Sequence, residues 1–332
     1  MIDRVEIGLA LQGDKAPGDY ARLATRAERH GFDVLSVYGD LMFQPPIVPL
    51  LEMARATRRV RLGAACWNPF TLHPYEIAGQ VAALDSVSGG RAYLGIAAGS
   101  WLDAIGVAQQ RPVRAVREAI ELIRALLRGD RDGYAGEIFT VAPGAHLRYP
   151  VHRAELPVLV GGWGPQMAAM AGRVADEFKL GGTTNPAMID VLRSRIASSG
   201  VGLVAGAVTV VDTDRAAARA KARTEVAMYL AVVAELDPTV TIDPDLMAEI
   251  NRRVAAHDHA GAGALIPDDV LDLFAFSGTP DDVAGQVQTL IAAGASRIEF
   301  GTPHGLDDAR GVELLGTRVL PQLDRRAAPT PS

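Results

Sequence analysis

The sequence has almost no cysteine and no long apolar run. Its single cysteine, Cys66, excludes an intrachain disulfide and any metal site built from several thiolates. No segment approaches the roughly 18 uninterrupted apolar residues that a membrane-spanning helix needs. The N-terminus carries the charged residues Asp3, Arg4 and Glu6 and leads directly into a strand-like segment, which is not the pattern of a signal peptide. We therefore expect a cytoplasmic protein.

The sequence also lacks an excess of basic residues. Its 33 Lys and Arg are outnumbered by 39 Asp and Glu, which gives a net charge of −6. Binding to nucleic acid or to a membrane surface needs a basic face, so we expect a small-molecule partner instead. Hydrophobic residues make up 48 % and charged residues 22 %, as is typical of a globular protein with a sizeable core. Disorder is expected only in the tail, 326–332, where Pro329 and Pro331 stand among small residues.

Short apolar segments alternate with helix-like segments along the chain. The predicted strands are 5–11, 34–37, 60–65, 92–97, 158–160, 178–180, 201–211 and 297–300. The predicted helices are 19–30, 49–56, 74–84, 112–127, 166–175, 187–197, 216–233, 244–256, 280–293 and 312–320. The pattern breaks between 129 and 156, where glycine and aromatic residues predict a hairpin, and the segment 261–267 is predicted to be a loop.

This alternation implies a parallel sheet, because parallel neighbours need a crossover connection. The sheet could be an open doubly wound one or a closed barrel. Eight units in one chain, and no glycine fingerprint in the segment 11–15 that follows the first strand, favour the barrel. We predict an α/β fold: one TIM (β/α)8 barrel domain over 1–325, with insertions after strands four and seven. In such barrels the chemistry lies in the loops after the strands.

Three of these loops contain glycine, and the first and the third also carry hydroxyl groups. They follow strands four, five and six, at 97–103, 161–167 and 181–186. The free amides at the start of a helix form a ready site for phosphate, and Pro165 begins a helix after the second loop. For one such loop alone, a tight turn that needs glycine only for its conformation is an equal alternative. Three on one rim predict a neutral, hydrogen-bonding pocket for a phosphorylated, planar ligand.

Conventional catalytic sets are missing from the sequence. Cys66 has no neighbour in sequence that would lower its pKa, so a buried, inert thiol is favoured over a reactive one. His257 and His259 have no carboxylate or cysteine partner in view, so no metal site is predicted. Asp40, just after strand two, either faces the pocket or serves an ordinary turn. A site poor in acids and bases but rich in glycine turns indicates redox chemistry supplied by a cofactor.

Several segments, taken in order, resemble the bacterial-luciferase-like flavin and deazaflavin oxidoreductases. The resemblance is strongest to the branch that uses coenzyme F420, which includes the methylenetetrahydromethanopterin reductases, and it covers nearly the whole chain. The segments that carry it are 28–33, 72–78, 88–96, 101–103, 164–167, 171–176 and 277–280. The resemblance implies a barrel with coenzyme F420 at the carboxyl ends of its strands, and a homodimer, since dimers are common in the family.

The resemblance also implies roles for individual residues. It places a non-proline cis peptide at Ala65-Cys66, where Cys66 acts through its backbone and not as a nucleophile. The amides of the turn 161–165 would bind the cofactor, with 181–183 beside them. The predicted cofactor contacts are Ala65, Cys66, Ala98, Gly99, Gly161, Gly162, Trp163, Gly164, Pro165, Gly181, Gly182 and Thr183.

The chain departs from the family pattern at two catalytic positions. Many relatives have Asp-His after strand two, but here Leu41 follows Asp40. Some deazaflavin dehydrogenases place a glutamate where this chain has Ser100. A reductase that needs little acid–base help therefore fits better than a sugar-phosphate dehydrogenase. Asp40 is the predicted catalytic residue, as a proton relay, and Gln12 or Asp14 is expected near the cofactor ring.

Two alternatives stay open at this point. One is an FMN-dependent monooxygenase of the same superfamily, which shares the fold and the rim. The other is a non-catalytic protein that only binds a flavin or deazaflavin, a reading favoured by the missing histidine and glutamate. The substrate is not predicted, because the regions expected to select it, 129–156 and 226–267, have the weakest pattern.

Overall fold

The computed structural model describes residues 4–198 and 200–326, and it contains a parallel β-barrel. Its barrel strands are β1 (Glu6–Leu11), β2 (Val34–Val37), β3 (Arg61–Ala64), β4 (Leu94–Ala97), β5 (Val158–Gly161), β6 (Glu177–Gly181), β7 (Gly202–Val211) and β8 (Arg297–Gly305). A continuous ladder runs in the order β3-β2-β1-β8-β7-β6-β5-β4. The seam between β3 and β4 is joined by two isolated parallel bridges, Leu62 to Ala92 and Trp67 to Ile96. The predicted barrel is confirmed.

Helices cover the outside of the barrel. They are α1 (Asp19–His30), α2 (Ile47–Ala56), α3 (Pro74–Ser88), α4 (Pro112–Arg128), α5 (Pro165–Val174), α6 (Ala187–Ile196), α7 (Arg215–Ala227), α8 (Leu230–Leu236), α9 (Pro244–Ala255), α10 (His259–Ala264), α11 (Asp268–Phe274), α12 (Pro280–Ala292) and α13 (Asp308–Leu314). The predicted hairpin is present as Tyr134–Ala135 paired antiparallel with Thr140–Val141. Within the described ranges, no helix is both long and apolar enough to cross a membrane.

The main apolar core lies between the strands and these helices. A separate small layer fills the barrel itself, where Val34, Tyr93, Leu159 and Val204 meet and Cys66 packs against them. The interior of a (β/α)8 barrel is a packed core and not a pore, so this layer separates the two ends of the barrel. The carboxyl ends of all eight strands consequently share one open mouth.

The insertion after β7 differs from its prediction in several ways. The segment 261–267, predicted as a loop, lies partly in α10, because Asp258 caps that helix at the amide of Gly261 (2.9 Å) and α10 packs closely on α7. Two elements were missed, α11 and a buried strand, Ala275–Gly278, that pairs with the end of β7. The helix predicted over 216–233 is broken at Tyr229, whose hydroxyl donates to Phe274 O at 2.9 Å.

The end of the chain also differs from its prediction. The last helix begins earlier than predicted, at Asp308, because the Asp307 side chain caps it at the amide of Arg310 (2.9 Å). The segment predicted to complete it forms a π-helical turn, Leu315–Val319. Arg326, assigned to the disordered tail, forms an antiparallel bridge with Arg4, and 327–332 lie outside the described residues.

The helices α7 to α11 enclose a second, smaller apolar core. This insertion is fastened to the mouth of the barrel by the segment that follows β6. Thr184 donates its hydroxyl to Asp272 O (2.8 Å), and Asn185 donates to the Asp237 carboxylate (2.9 Å). The insertion therefore lies beside the open ends of the strands.

Candidate functional site

The ends of β3, β4 and β5 converge on Gly161. The ladder between β4 and β5 pairs Ala97 with Gly161. A Cβ atom on Gly161 would lie 3.1 Å from Cys66 Sγ and 3.2 Å from Ala97 Cβ. The structure thus brings together the predicted contacts at Cys66 and Gly161, with Ala98 and Gly99 directly after Ala97.

The peptide bond between Ala65 and Cys66 is cis, at the predicted position. The Cys66 carbonyl lies against Gly39, where a Cβ atom would be only 2.2 Å from the oxygen. The thiol is half-buried, and burial raises the pKa of Cys66 to about 11. A protonated thiol is a poor nucleophile, which agrees with the prediction of an inert side chain.

The turn after β5 leaves two amides open. Gly164 precedes α5 and no side chain caps that helix. The amide of Gly162 donates to Lys179 O at 3.1 Å, but those of Trp163 and Gly164 have no backbone acceptor among the described residues. The carbonyl of Trp163 accepts from the Arg195 guanidinium at 2.9 Å, which fixes the turn. This arrangement provides donors for an anionic group at the start of a helix.

The turn after β6 is used differently from the prediction. The Thr183 hydroxyl donates to Leu273 O at 3.1 Å and accepts from the amide of Asn185 at 3.0 Å, so it is occupied within the fold. The amide of Gly182 donates to Gly206 O at 2.7 Å. Gly181 is open, since no atom lies within 4 Å of a Cβ built there. This turn therefore serves mainly to hold the insertion in place.

In the turn after β4 the carbonyl groups are already hydrogen-bonded within the protein, so the amides are the groups left for a ligand. Gln109 Nε2 donates to the carbonyls of both Ala98 (2.6 Å) and Gly99 (2.9 Å). Gly99 has φ +84, and the Asn68 side chain would lie 3.1 Å from a Cβ atom there. A side chain at this position is disfavoured both by its backbone conformation and by the lack of space.

Asp40 is exposed at the mouth and accepts a hydrogen bond from Gln12 Nε2 at 3.1 Å. Desolvation by the surrounding protein raises the pKa of Asp40, and the charge of Lys179 opposes this shift. Of the two residues expected near the ring, only Gln12 contacts Asp40. Asp14 bonds instead to Lys15, which also pairs with Asp308 at 2.8 Å.

Below Asp40 lies a buried polar cluster that sequence reasoning missed. Lys179 on β6 forms an ion pair with Glu299 on β8, and Ser36 on β2 donates to the same carboxylate at 2.5 Å. The Lys179 ammonium also lies 5.4 Å from the centre of the Tyr38 ring. The signal was available, because Lys179 and Glu299 each interrupt an apolar strand, and charged residues are rarely buried unless they are paired.

His257 and His259 lie together, with ring centres 6.2 Å apart. Within 4–198 and 200–326, no group of three or more His, Cys, Asp or Glu side chains is arranged to hold a metal ion. The pair therefore stays without an assigned role.

Comparison with known proteins identifies the family. The family model described as luciferase-like monooxygenase matches residues 3–297. The chain is 31 % identical over 316 residues to a 5,10-methylenetetrahydromethanopterin reductase of Archaeoglobus fulgidus, covering 90 % of this chain and 93 % of that protein. It is 27 % identical to an F420-dependent glucose-6-phosphate dehydrogenase of Rhodococcus erythropolis, covering 97 % and 99 %.

A solved structure shows the same fold. The coenzyme F420-dependent tetrahydromethanopterin reductase of Methanopyrus kandleri superposes with a TM-score of 0.87 at 26 % identity, covering 96 % of this chain and 99 % of that one. The resemblance predicted from the sequence segments is confirmed. The chain belongs to the luciferase-like family.

Proposed function

We propose that this chain is a coenzyme F420-dependent oxidoreductase that transfers a hydride between the deazaflavin and a small organic substrate, working as a reductase. Two of the relatives described above carry F420 in their names. The observation that carries the proposal is the turn after β5. There the amides of Trp163 and Gly164, which have no described backbone acceptor, stand at the start of a helix beside the convergent ends of β3 and β4.

The residues present fit a phosphorylated, planar cofactor. The open amides of Trp163 and Gly164 would hold its phosphate, and the backbone at Ala65, Cys66 and Gly99 would line its ring. The reduced cofactor supplies a hydride when it is bound. Neutral amides and glycine turns suit such a group, because the reactivity lies in the cofactor and the protein contributes binding and orientation.

Residues of the chain at the mouth would contribute to the proposed reaction in two further ways. Asp40, hydrogen-bonded to Gln12, would pass a proton between solvent and the reacting groups, since its raised pKa brings it closer to neutral pH. Tyr229 and Val233 of the insertion pack over Gly182 and would restrict the entry of water. Leu41 and Ser100 replace the acid–base residues of relatives, which favours a reductase over a dehydrogenase.

A titration tests the cofactor. The protein is titrated with oxidised coenzyme F420 and, separately, with FMN, and binding is followed by quenching of cofactor fluorescence. We expect micromolar or tighter binding of F420 and none of FMN. The reverse result supports the FMN monooxygenase instead. Binding of F420 without oxidation or reduction across a broad panel of acceptors and donors supports the non-catalytic protein.

The substitution Gly164→Ala tests the site. No protein atom lies within 4 Å of a Cβ atom there, and φ is −70°, so the variant should fold normally. If the turn approaches the phosphate, the added methyl group should raise the Kd for F420 about tenfold, which corresponds to ~1.4 kcal/mol. Gly285→Ala, equally open but on α12, is the matched control and should leave the Kd unchanged. Equal Kd values for both variants would remove the turn from the site.

The substitution Asp40→Asn tests the proton relay. It keeps the shape and the hydrogen bond from Gln12 but cannot carry a proton, so we expect turnover to fall by roughly 10²-fold with little change in the Kd for F420. The rate of cofactor oxidation is measured from pH 5 to pH 9. A variant with wild-type turnover and an unchanged pH profile shows that Asp40 plays no such part.

Three further predictions from the sequence belong to this proposal. We propose that 1–325 form one domain, an arrangement supported by the pairing of β1 with β8 from opposite ends of the chain. We also propose a homodimer in the cytoplasm. Light scattering in solution gives the oligomeric state, and cell fractionation gives the compartment.

A further inference from the structure

Tyr38 stands just past the end of β2, and its hydroxyl is free. The side chain is half-buried. Within 4–198 and 200–326 it makes no hydrogen bond, whereas the Tyr20 and Tyr229 hydroxyls donate to Gln12 O and Phe274 O, both at 2.9 Å. Tyrosine hydroxyls in protein interiors usually find a partner. This one is available to a ligand.

The Tyr38 ring lies across the mouth of the barrel. Its amide donates to Leu11 O on β1 at 3.0 Å, so the residue continues the pairing of β2 with β1. A Cβ atom on Gly301 of β8 would lie 2.5 Å from the hydroxyl oxygen, so the hydroxyl needs the space that this glycine leaves. From β6 the Lys179 ammonium lies 5.4 Å from the ring centre. The hydroxyl is thus held in the opening towards which the neighbouring strands converge.

The titratable groups around this hydroxyl come from several elements. Asp40 follows it on the same loop, Tyr229 comes from the insertion, and Lys179 with Glu299 lies beneath. Burial, with Asp40 and Tyr229, raises the pKa of Tyr38 well above its usual value, so the phenol is a neutral hydrogen-bond donor at pH 7. Burial lowers the pKa of Lys179 to about 8, which still leaves most of the ammonium protonated at pH 7.

We propose that Tyr38 is a further catalytic residue, whose hydroxyl donates a proton to the carbonyl oxygen of the substrate as the hydride reaches the reacting carbon. This inference rests on the function proposed above and names its substrate class: a ketone, or an alkene conjugated to a carbonyl group. The free hydroxyl and the glycine that makes room for it carry the inference.

The step balances in atoms and electrons. The hydride forms a C–H bond at the substrate carbon, and the π electron pair moves to the carbonyl oxygen. That oxygen takes the proton of Tyr38, whose O–H bond breaks. The substrate gains two electrons, which the reduced deazaflavin gives up. The Tyr38 phenolate then recovers a proton from water through Asp40.

Lys179 is a positioning residue in this step. Its ammonium, held by Glu299, lies 5.4 Å from the centre of the Tyr38 ring. The same cation holds the ring through a cation–π contact. The ion pair therefore fixes the ring and, with it, the position of the Tyr38 hydroxyl.

The substitution Tyr38→Phe tests the proposal on the full chain loaded with reduced F420. The substrates are cyclohexanone and 2-cyclohexen-1-one. Menadione is the comparison acceptor, because the oxygen of its hydroquinone product is only weakly basic and so depends less on a proton donor. We expect kcat with the carbonyl substrates to fall by roughly 10²–10⁴-fold, the oxidation by menadione to change little, and the Kd for F420 to stay within about twofold. Tyr93→Phe is the matched control, because its ring also faces cations inside the barrel (Arg61 and Arg297) and should leave all three values unchanged.

A second measurement needs no turnover. Infrared difference spectra of cyclohexanone bound with oxidised F420 should show a carbonyl band lowered in frequency in the wild type and in Tyr93→Phe, but not in Tyr38→Phe. Wild-type rates of carbonyl reduction in Tyr38→Phe would overturn the proposal. So would a carbonyl band at the same frequency in Tyr38→Phe and in the wild type. Oxidation by menadione alone, with no carbonyl reduced, also overturns it but leaves the proposed function standing. Failure to bind F420 removes the proposed function and this inference together.

Discussion

The two ends of the barrel each place a tyrosine against buried cations, but they do so in opposite ways. At the closed end, Tyr93 is fully buried between Arg61 and Arg297, whose guanidinium carbons lie 5.5 and 5.2 Å from its ring centre. At the open end, Tyr38 faces a single lysine, Lys179, and its hydroxyl makes no hydrogen bond within the described residues. One tyrosine is sealed in a packed ion network, and the other is half-buried at the mouth with a free hydroxyl.

The choice of cation explains the difference. Arginine stays protonated in proteins and its planar group stacks on rings and pairs with carboxylates, so it suits a permanent structural network. Lysine shifts its pKa readily when it is buried, which suits a group that responds to charge created nearby. In barrels of this kind the amino-terminal end serves stability and the carboxyl end serves chemistry. The closed end should therefore govern the larger part of folding stability, and the open end should govern turnover.

The largest effect is expected from Glu177→Gln at the closed end. Burial opposes ionisation of Glu177, but Arg297 and Arg61 lower its pKa, and the carboxylate bonds to Arg61 at 3.0 Å and lies 3.3 Å from Arg297. The variant leaves a fully buried Arg297 without this counter-charge. We expect the free energy of unfolding to fall by about 3–5 kcal/mol, measured in urea, with the Kd for F420 unchanged.

Glu249→Gln is the control for that loss. Glu249 pairs with Arg252 and Arg253 on the surface of α9, and such fully exposed pairs contribute little to stability. A Glu177 variant as stable as this control, or one that loses cofactor affinity while staying stable, breaks the division between the two ends.

A smaller effect is expected from pH at the open end, through His304. This histidine is fully buried near the end of β8, and its Nδ1 has no partner among the described residues. Burial lowers the pKa of His304 to about 4 from 6.5, with Asp308 opposing the shift. The unfolded chain takes up a proton near pH 6.5 and the folded protein does so only near pH 4, so stability falls as the pH is lowered through this window.

The size of this effect follows from the shift. Between pH 7 and pH 5 the contribution of His304 should reduce the free energy of unfolding by roughly 2 kcal/mol. Urea unfolding at the two pH values measures the total change, and His304→Asn, which suits the positive φ of 69° there, should remove this part of it. His146→Asn, at a half-buried site away from the barrel mouth strands, is the control. Equal pH dependence in wild type and His304→Asn would place the acid sensitivity elsewhere.

The barrel could be predicted because its strands are short apolar runs, each closed by a turn or a helix start. For β2, the predicted range 34–37 and the observed range are the same. The insertion could be predicted only in part. Its helix α10, with sequence His-Ala-Gly-Ala-Gly-Ala, has weak intrinsic helix propensity and depends on the Asp258 cap and on packing against α7.

The site could be located from the sequence, but its inner part could not. The glycine turns are local signals, so their placement on one rim followed once the strands were parallel. The pairing of Lys179 with Glu299 spans 120 residues, and the contact of Tyr38 with Gly301 joins β2 to β8. Contacts of this kind depend on barrel closure, which no local pattern encodes. Thr183 was assigned to the ligand for the same reason, because its partner Leu273 belongs to a missed helix.

The smallest effect is expected from Cys66→Ala, at the layer that separates the two ends. With its pKa raised to about 11, the thiol should hold only ~10⁻³ of its population as thiolate at pH 8. We therefore expect slow reaction of the wild type with a thiol reagent, and a Kd for F420 that changes less than about threefold in the variant. The side chain packs against Tyr93 and its neighbours in that layer, so the unfolding free energy should fall by only about 1 kcal/mol. A tenfold weaker Kd would show that the cofactor contacts the sulfur itself, and a rapid thiol reaction would show that the layer is open to solvent.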